Sequence, residues 1–236
     1  MQGVVNTDVA IPILAELGFV LVAASVYYAG VTKFGLYKTS IFLLGSILWS
    51  APLENFAVLK GAYTYYHYAG VLLPNYPGYL MWVGLVPLWI VLGWFTFAMS
   101  GYLIFHGVAF PAKRALVQAT ASGLFALNID FIMDPIASSN GLWVWTANIG
   151  DVLGVPLFNF VGWFLLIFFY DIIAEHTIFN DKPFKVFDTI ERVISRKKQI
   201  PGEGPNLGRF VFRVIVLETF LIVFLTLLND VLTTIA

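Results

Sequence analysis

Cysteine is absent from the 236 residues, which excludes disulfides, thiolate catalysis and zinc or iron–sulfur sites built on cysteine. Charge is scarce: Asp, Glu, Lys and Arg make up 11% of the chain, against about 25% in an ordinary soluble domain. With 13 basic and 14 acidic residues the formal net charge is −1, so there is no electrostatic footprint for nucleic acid. His67, His106 and His176 lack metal-ligand spacing and fall on both sides of the membrane, so a metal centre built from them is not expected. What the chain has in excess is apolar surface, 59% AVILMFWYC with a mean hydropathy of +0.84. A soluble globule of this length has too little polar surface to cover so much. The bilayer is therefore its expected solvent.

A hydrocarbon core about 30 Å thick needs roughly 20 apolar residues, and six stretches qualify, near 9–31, 39–59, 78–105, 112–133, 155–176 and 210–235. The expected fold is an all-α integral membrane protein, one polytopic domain over 1–236 with about six transmembrane helices. The first run has no preceding Lys or Arg and no small-residue cleavage pattern, so it reads as a retained span. Pro87 is expected to kink the long third span. After the fifth, Phe184, Phe187, Ile190 and Ile194 recur at helical spacing, which predicts an amphipathic helix along the membrane surface. Pro201-Gly-Glu-Gly-Pro205 then breaks the chain. No strong repeat is evident, direct or inverted.

Basic residues set the orientation. Lys33, Lys38, Lys113, Arg114, Lys182, Lys185, Arg192, Arg196, Lys197, Lys198, Arg209 and Arg213 share one side, and Lys60 alone lies on the other. The expectation is a multi-pass protein of the cell membrane with both termini outside and basic loops in the cytoplasm.

Each intramembrane acid is a functional candidate, because a charge at the bilayer centre costs at least about 2.5 kcal/mol. Several polar groups converge on the outer side: Glu54 ends span two, Asn128, Asp130 and Asp134 end span four, and Asn159 starts span five. The loop between them adds Trp143, Trp145, Asn148 and Asp151, and Tyr63, Tyr65, Tyr66 and Tyr68 follow span two. Asp130 and Asp134, four residues apart, stack on one helix face. Two carboxyls so placed do not both ionise readily, and one that keeps its proton is a general acid. The plainer reading is that Asp134-Pro135 ends the helix and Asp130 pairs with a neighbour. Glu16 and Glu218 either join this site or bond neighbouring helices, while Asp171 and Glu175 are expected to be solvated at the cytoplasmic end of span five. Aromatic stripes are usually packing, but dense aromatic faces also stabilise cations and stack on flat apolar ligands.

Three functions suit such a cluster: proton chemistry on a lipid-soluble substrate, prenyl transfer, and transport through a proton relay. Prenyl transfer requires magnesium and cations around a diphosphate, and Lys60 alone does not supply them. Transport would favour an inverted repeat with broken helices.

The run Leu127-Asn-Ile-Asp130-Phe-Ile-Met-Asp134-Pro135, then Gly141-Leu-Trp143-Val-Trp145, then Gly154-Val-Pro156-Leu-Phe-Asn159-Phe160-Val-Gly162-Trp163 closely resembles the membrane carotenoid-biosynthesis family. That family contains the carotenoid 1,2-hydratases, including the bisanhydrobacterioruberin hydratases of archaea. Glu54 with Gly61-Ala-Tyr63-Thr-Tyr65, and Val86-Pro87 followed by Trp94, look like its earlier motifs, so the resemblance covers roughly residues 50 to 175. The segment Glu54-Asn-Phe-Ala-Val-Leu-Lys60 departs by being more apolar and poorer in glycine. The resemblance implies a cofactor-independent hydro-lyase that adds water to the terminal double bond of an acyclic carotenoid and gives a tertiary alcohol. Such chemistry requires a strong acid in a dry pocket, aromatic faces for the cation and a positioned water. Asp130 and Asp134 are the acid candidates. Glu54 and Asn159 are assigned to place the water, and Trp143, Trp145 and Tyr63, with Tyr65 and Trp163, to line the substrate site. A cyclase starts with the same protonation and is the alternative within this reading.

Overall fold

The computed structural model describes residues 10–65, 79–106, 114–146, 151–179 and 207–235. Tyr66, His67, Tyr68, Asn148, the side chain of Asp151 and the amphipathic segment 184–194 lie outside the described residues. Six helices dominate: α1 Ala10–Phe34, α2 Leu36–Leu59, α3 Leu88–Phe105, α4 Arg114–Ser139, α5 Leu157–Ala174 and α6 Leu207–Ile235. Five stretches are long and apolar enough to cross a membrane: Leu14–Phe34, Leu36–Leu59, Leu88–Phe105, Ala115–Ser139 and Leu157–Phe179. At 1.5 Å per residue the 24 residues of α2 extend about 36 Å, enough to span with some tilt. The protein is an all-α multi-pass membrane protein.

Six short strands stand at one end of the bundle: β1 Tyr63–Tyr65, β2 Trp82–Val83, β3 Val86–Pro87, β4 Trp143–Trp145, β5 Asp151–Val152 and β6 Val155–Pro156. They change the reading of the third span. Residues 82–87 form the β2–β3 hairpin rather than helix, and Pro87 kinks nothing. It is the N-cap of α3, where its missing N–H costs no helical bond. Pro135, in contrast, lies inside α4, which continues to Ser139, so Asp134-Pro135 does not end the helix.

The strands also reveal an internal duplication that pattern reading missed. Helix α2 ends at Gly61 and α4 at Gly141, each with φ of 71°. In both, the glycine N–H bonds three residues back, to Val58 or Ser138, and the next N–H five residues back, to Ala57 or Ala137. This Schellman closure needs a left-handed residue, and glycine supplies it without a Cβ penalty. The chain then enters β1 or β4, which pair antiparallel as Tyr63↔Trp145, Thr64↔Val144 and Tyr65↔Trp143. Each strand is followed by a tight hairpin and then a Pro-capped helix, with Pro87 at φ −59°, ψ 138° and Pro156 at φ −61°, ψ 138°. The unit α2–β1–β2–β3–α3 is thus repeated as α4–β4–β5–β6–α5, about an approximate two-fold through the Thr64–Val144 pair. Glu54 corresponds to Asp134, Tyr63 to Trp143, Tyr65 to Trp145 and Trp94 to Trp163.

The core lies between the two units. Trp49 of α2 donates to the Leu166 carbonyl of α5 at 3.2 Å, and Tyr170 donates to the Phe42 carbonyl. Small residues permit close approach, as is usual between membrane helices: a Cβ on Gly45 would lie 2.0 Å from the Phe210 ring of α6, and one on Gly101 would lie 2.8 Å from Ser122 of α4. Glu16 of α1 is fully buried and accepts the backbone N–H groups of Leu80 at 2.6 Å and Met81 at 3.0 Å. It ties α1 to the start of the first hairpin and supplies acceptors that the bilayer cannot.

Candidate active site

The two units meet in a cavity of about 40 Å³ beneath the β1–β4 pair, lined by Glu54, Tyr63, Tyr65, Trp94, Asp134, Trp143, Trp145, Asn159 and Trp163 among others. Glu54, in the last turns of α2, has both oxygens engaged. Trp94 Nε1 donates to Oε1 at 2.7 Å, Tyr65 donates to Oε2 at 2.9 Å, and Tyr63 donates to the same Oε2. Burial, with the neighbouring Glu54 carboxyl, pushes the Tyr63 and Tyr65 phenols well above their usual range. Both therefore stay protonated and act as donors, and Glu54 is held as an acceptor by three N–H or O–H groups.

Asp134 occupies the equivalent place on α4 but is bonded differently. Asn159 Nδ2 donates to its Oδ2 at 2.6 Å, whereas Oδ1 is buried with no partner among the described residues. The same Asn159 amide reaches both oxygens of Asp130, at 3.2 and 3.1 Å. Asp130 is fully buried one turn below Asp134 and does not line the cavity, so it meets a bound molecule only through Asn159 and Asp134. Neither aspartate has a Lys or Arg partner among the described residues.

Aromatic rings close the chamber. Trp94 and Trp163, equivalent across the two-fold, lie 4.5 Å apart between ring centroids. Tyr63 meets Trp145 edge-on at 5.0 Å, and Trp89 lies 6.1 Å from Trp143. The indole N–H groups of Trp89, Trp143 and Trp145 are buried without a partner among the described residues. Trp89, Trp143, Trp145 and Asp134 all line this cavity, and their polar atoms without partners among the described residues, in a space larger than the roughly 10–15 Å³ a water requires, suit a held water.

The structure thus brings together Glu54, Tyr63, Tyr65, Asp134, Trp143, Trp145, Asn159 and Trp163, and sets Asp130 just behind them. Asn128 does not join; it is exposed and bonds the Leu124 carbonyl of its own helix. Trp94 was visible as a motif but not as a donor to Glu54, and Trp89 and Phe19 were not visible as walls at all. The signal for Trp94 was its equivalence to Trp163. Asp171 and Glu175 also differ from expectation. They are buried, at 1% and 3% exposure, rather than solvated, because the π-helical turn Glu175–Phe179 tucks that end of α5 inward and Glu175 accepts from Tyr102.

The fold and site define a multi-pass membrane protein with an aromatic chamber lined by two carboxyls, Glu54 and Asp134. A family model described as carotenoid biosynthesis protein matches residues 13–195, and the chain belongs to that family. The match extends beyond the motif-bearing stretch to include α1. No curated protein and no solved structure matches the chain.

Proposed function

We propose that this protein adds water to the terminal trisubstituted double bond of an acyclic carotenoid, giving a tertiary alcohol. The observation that carries the reading is the contrast between its two equivalent acids: Asp134 has a buried oxygen without a partner among the described residues, while Glu54 is held as an acceptor by Trp94, Tyr63 and Tyr65, with one lone pair of Oε1 still open. Asp134 and Asp130 share the Asn159 amide, and in this reading two carboxyls held so close carry one proton between them at rest. That proton passes from Asp134 to the less substituted alkene carbon, and positive charge develops on the tertiary carbon. The faces of Trp143, Trp145 and Tyr63 shelter the cation. A water held by the free indole N–H groups attacks the tertiary carbon through its oxygen, and its surplus proton passes to Glu54. Return of that proton to Asp134 restores the resting state, so the reaction needs no net proton, electron or cofactor. Asn159 holds Asp134 and Asp130 in place, and Tyr65 and Trp94 fix Glu54.

A cyclase would use the same protonation but must keep water from the cation. The unpaired indole donors favour hydration. With the basic loops in the cytoplasm, the chamber lies towards the outer leaflet, which an apolar substrate reaches from the bilayer. The test is mass-resolved pigment analysis of a lycopene-producing bacterial host expressing the chain. A product heavier by one or two waters is expected. An isomer of unchanged mass with a new ring would replace hydration by cyclisation, and unaltered pigment beside abundant membrane protein would refute the reading.

A further inference from the structure

The acid chamber is too small for the substrate it is assigned. Its volume of about 40 Å³ compares with roughly 150 Å³ for an apolar cavity that admits benzene, so only the end of a polyene fits inside. A second cavity adjoins it. It measures about 340 Å³ and runs between α1 and α4, with Ala15 and Phe19 on one side and Met133, Ile136 and Ala137 on the other. Phe19, Trp89, Met133 and Trp143 line both spaces and so form the partition between them. Except for Asn140, whose side chain is exposed at the strand end of α4, the groove is apolar along its length.

We propose that this groove is the binding site for the polyene tail, with the substrate entering sideways from the bilayer between α1 and α4 and passing its end between Phe19, Trp89, Met133 and Trp143 to reach Asp134. This rests on the hydration reading above. Three features support it. The groove is continuous with the acid chamber through shared walls, its lining matches a linear apolar hydrocarbon, and its outer edge is formed by Ile136, 57% exposed on the face that meets lipid. The α1 wall is fixed where it must be, since Glu16, between Ala15 and Phe19, pins the helix to Leu80 and Met81. Tyr79 O–H donates to the Leu142 carbonyl at 2.9 Å and braces the far rim.

The experiment compares lycopene conversion by the full-length wild type with that by Ile136→Trp, Ala137→Trp and a control, Ile132→Trp. Ile132 lies on the lipid-exposed face of the same helix but outside the groove, at 66% exposure. Ile136→Trp replaces an exposed side chain and so spares the fold if the buried Ala137→Trp does not. The expected result is a fall in kcat/KM of at least about tenfold, equivalent to about 1.4 kcal/mol, for the groove variants, carried by KM, with Ile132→Trp unchanged. Turnover by Ile136→Trp equal to wild type would overturn the proposal while hydration stands. No water adduct from the wild type would instead overturn the hydration reading, and the tail site with it.

Discussion

Replacing Asp134 by Asn separates the proton from every other property of that side chain. The two share shape and volume. Oδ2 accepts from Asn159 at 2.6 Å and Oδ1 has no partner, so an amide keeps its oxygen on Asn159 and turns its NH2 to the cavity. No protein hydrogen bond is lost, and stability should change by no more than about 1 kcal/mol. A positioned general acid contributes about 10²–10⁴ in rate, or roughly 2.7–5.5 kcal/mol of barrier. Asp130→Asn removes a carboxyl that lines no cavity and receives longer bonds, at 3.2 and 3.1 Å, so its cost should be smaller, on the order of tenfold. The assay is the initial rate of water-adduct formation at matched protein level in isolated membranes, with a thermal melt of each variant. The assignment is refuted if Asp134→Asn stays within about threefold of wild type, or if Asp130→Asn is the more damaged of the two at equal stability.

Trp143→Leu should lower turnover more than membrane insertion, and unchanged turnover would reduce Trp143 to a packing residue. Gly45→Ala forces a Cβ to 2.0 Å from the Phe210 ring, and such overpacking should cost about 1–3 kcal/mol, measured by thermal unfolding in detergent, by displacing α6 from α2. The raised Tyr63 and Tyr65 phenols make a signed alkaline prediction. Below pH about 10 both states hold the proton, and above it only the unfolded state gives it up, so stability falls as pH rises from there. The double variant Tyr63→Phe, Tyr65→Phe should lose stability less steeply over that window, and identical alkaline melting curves would refute the burial of both phenols.

The helices and the convergence of Glu54, Asp134 and Asn159 were legible because transmembrane runs are long and acids within them are rare. The strands were not. β2 and β3 are two residues each, embedded in a run as apolar as the helix that follows, so hydropathy carried the third span back to residue 78. The duplication was hidden for a different reason. Gly61 and Gly141 are 80 residues apart, whereas Trp94 and Trp163 are 69 apart, because the second loop is shorter. Equivalent positions also exchange Glu for Asp and Tyr for Trp, so the shared backbone geometry survives with few shared letters. Asp130 read as an equal of Asp134 because helical spacing places both on one face; depth along the helix, which spacing does not encode, puts only Asp134 at the cavity.

The seam between the two units has a consequence for a substrate that is itself two-ended. A linear molecule with identical termini presents one of them to Asp134 and leaves the other out in the lipid. To be processed twice it must withdraw, reverse and thread again. Turnover should then be distributive, with singly modified molecules accumulating and escaping before the doubly modified form overtakes them. The ratio of the two over time reports how fast the chain lets go relative to how fast it reacts.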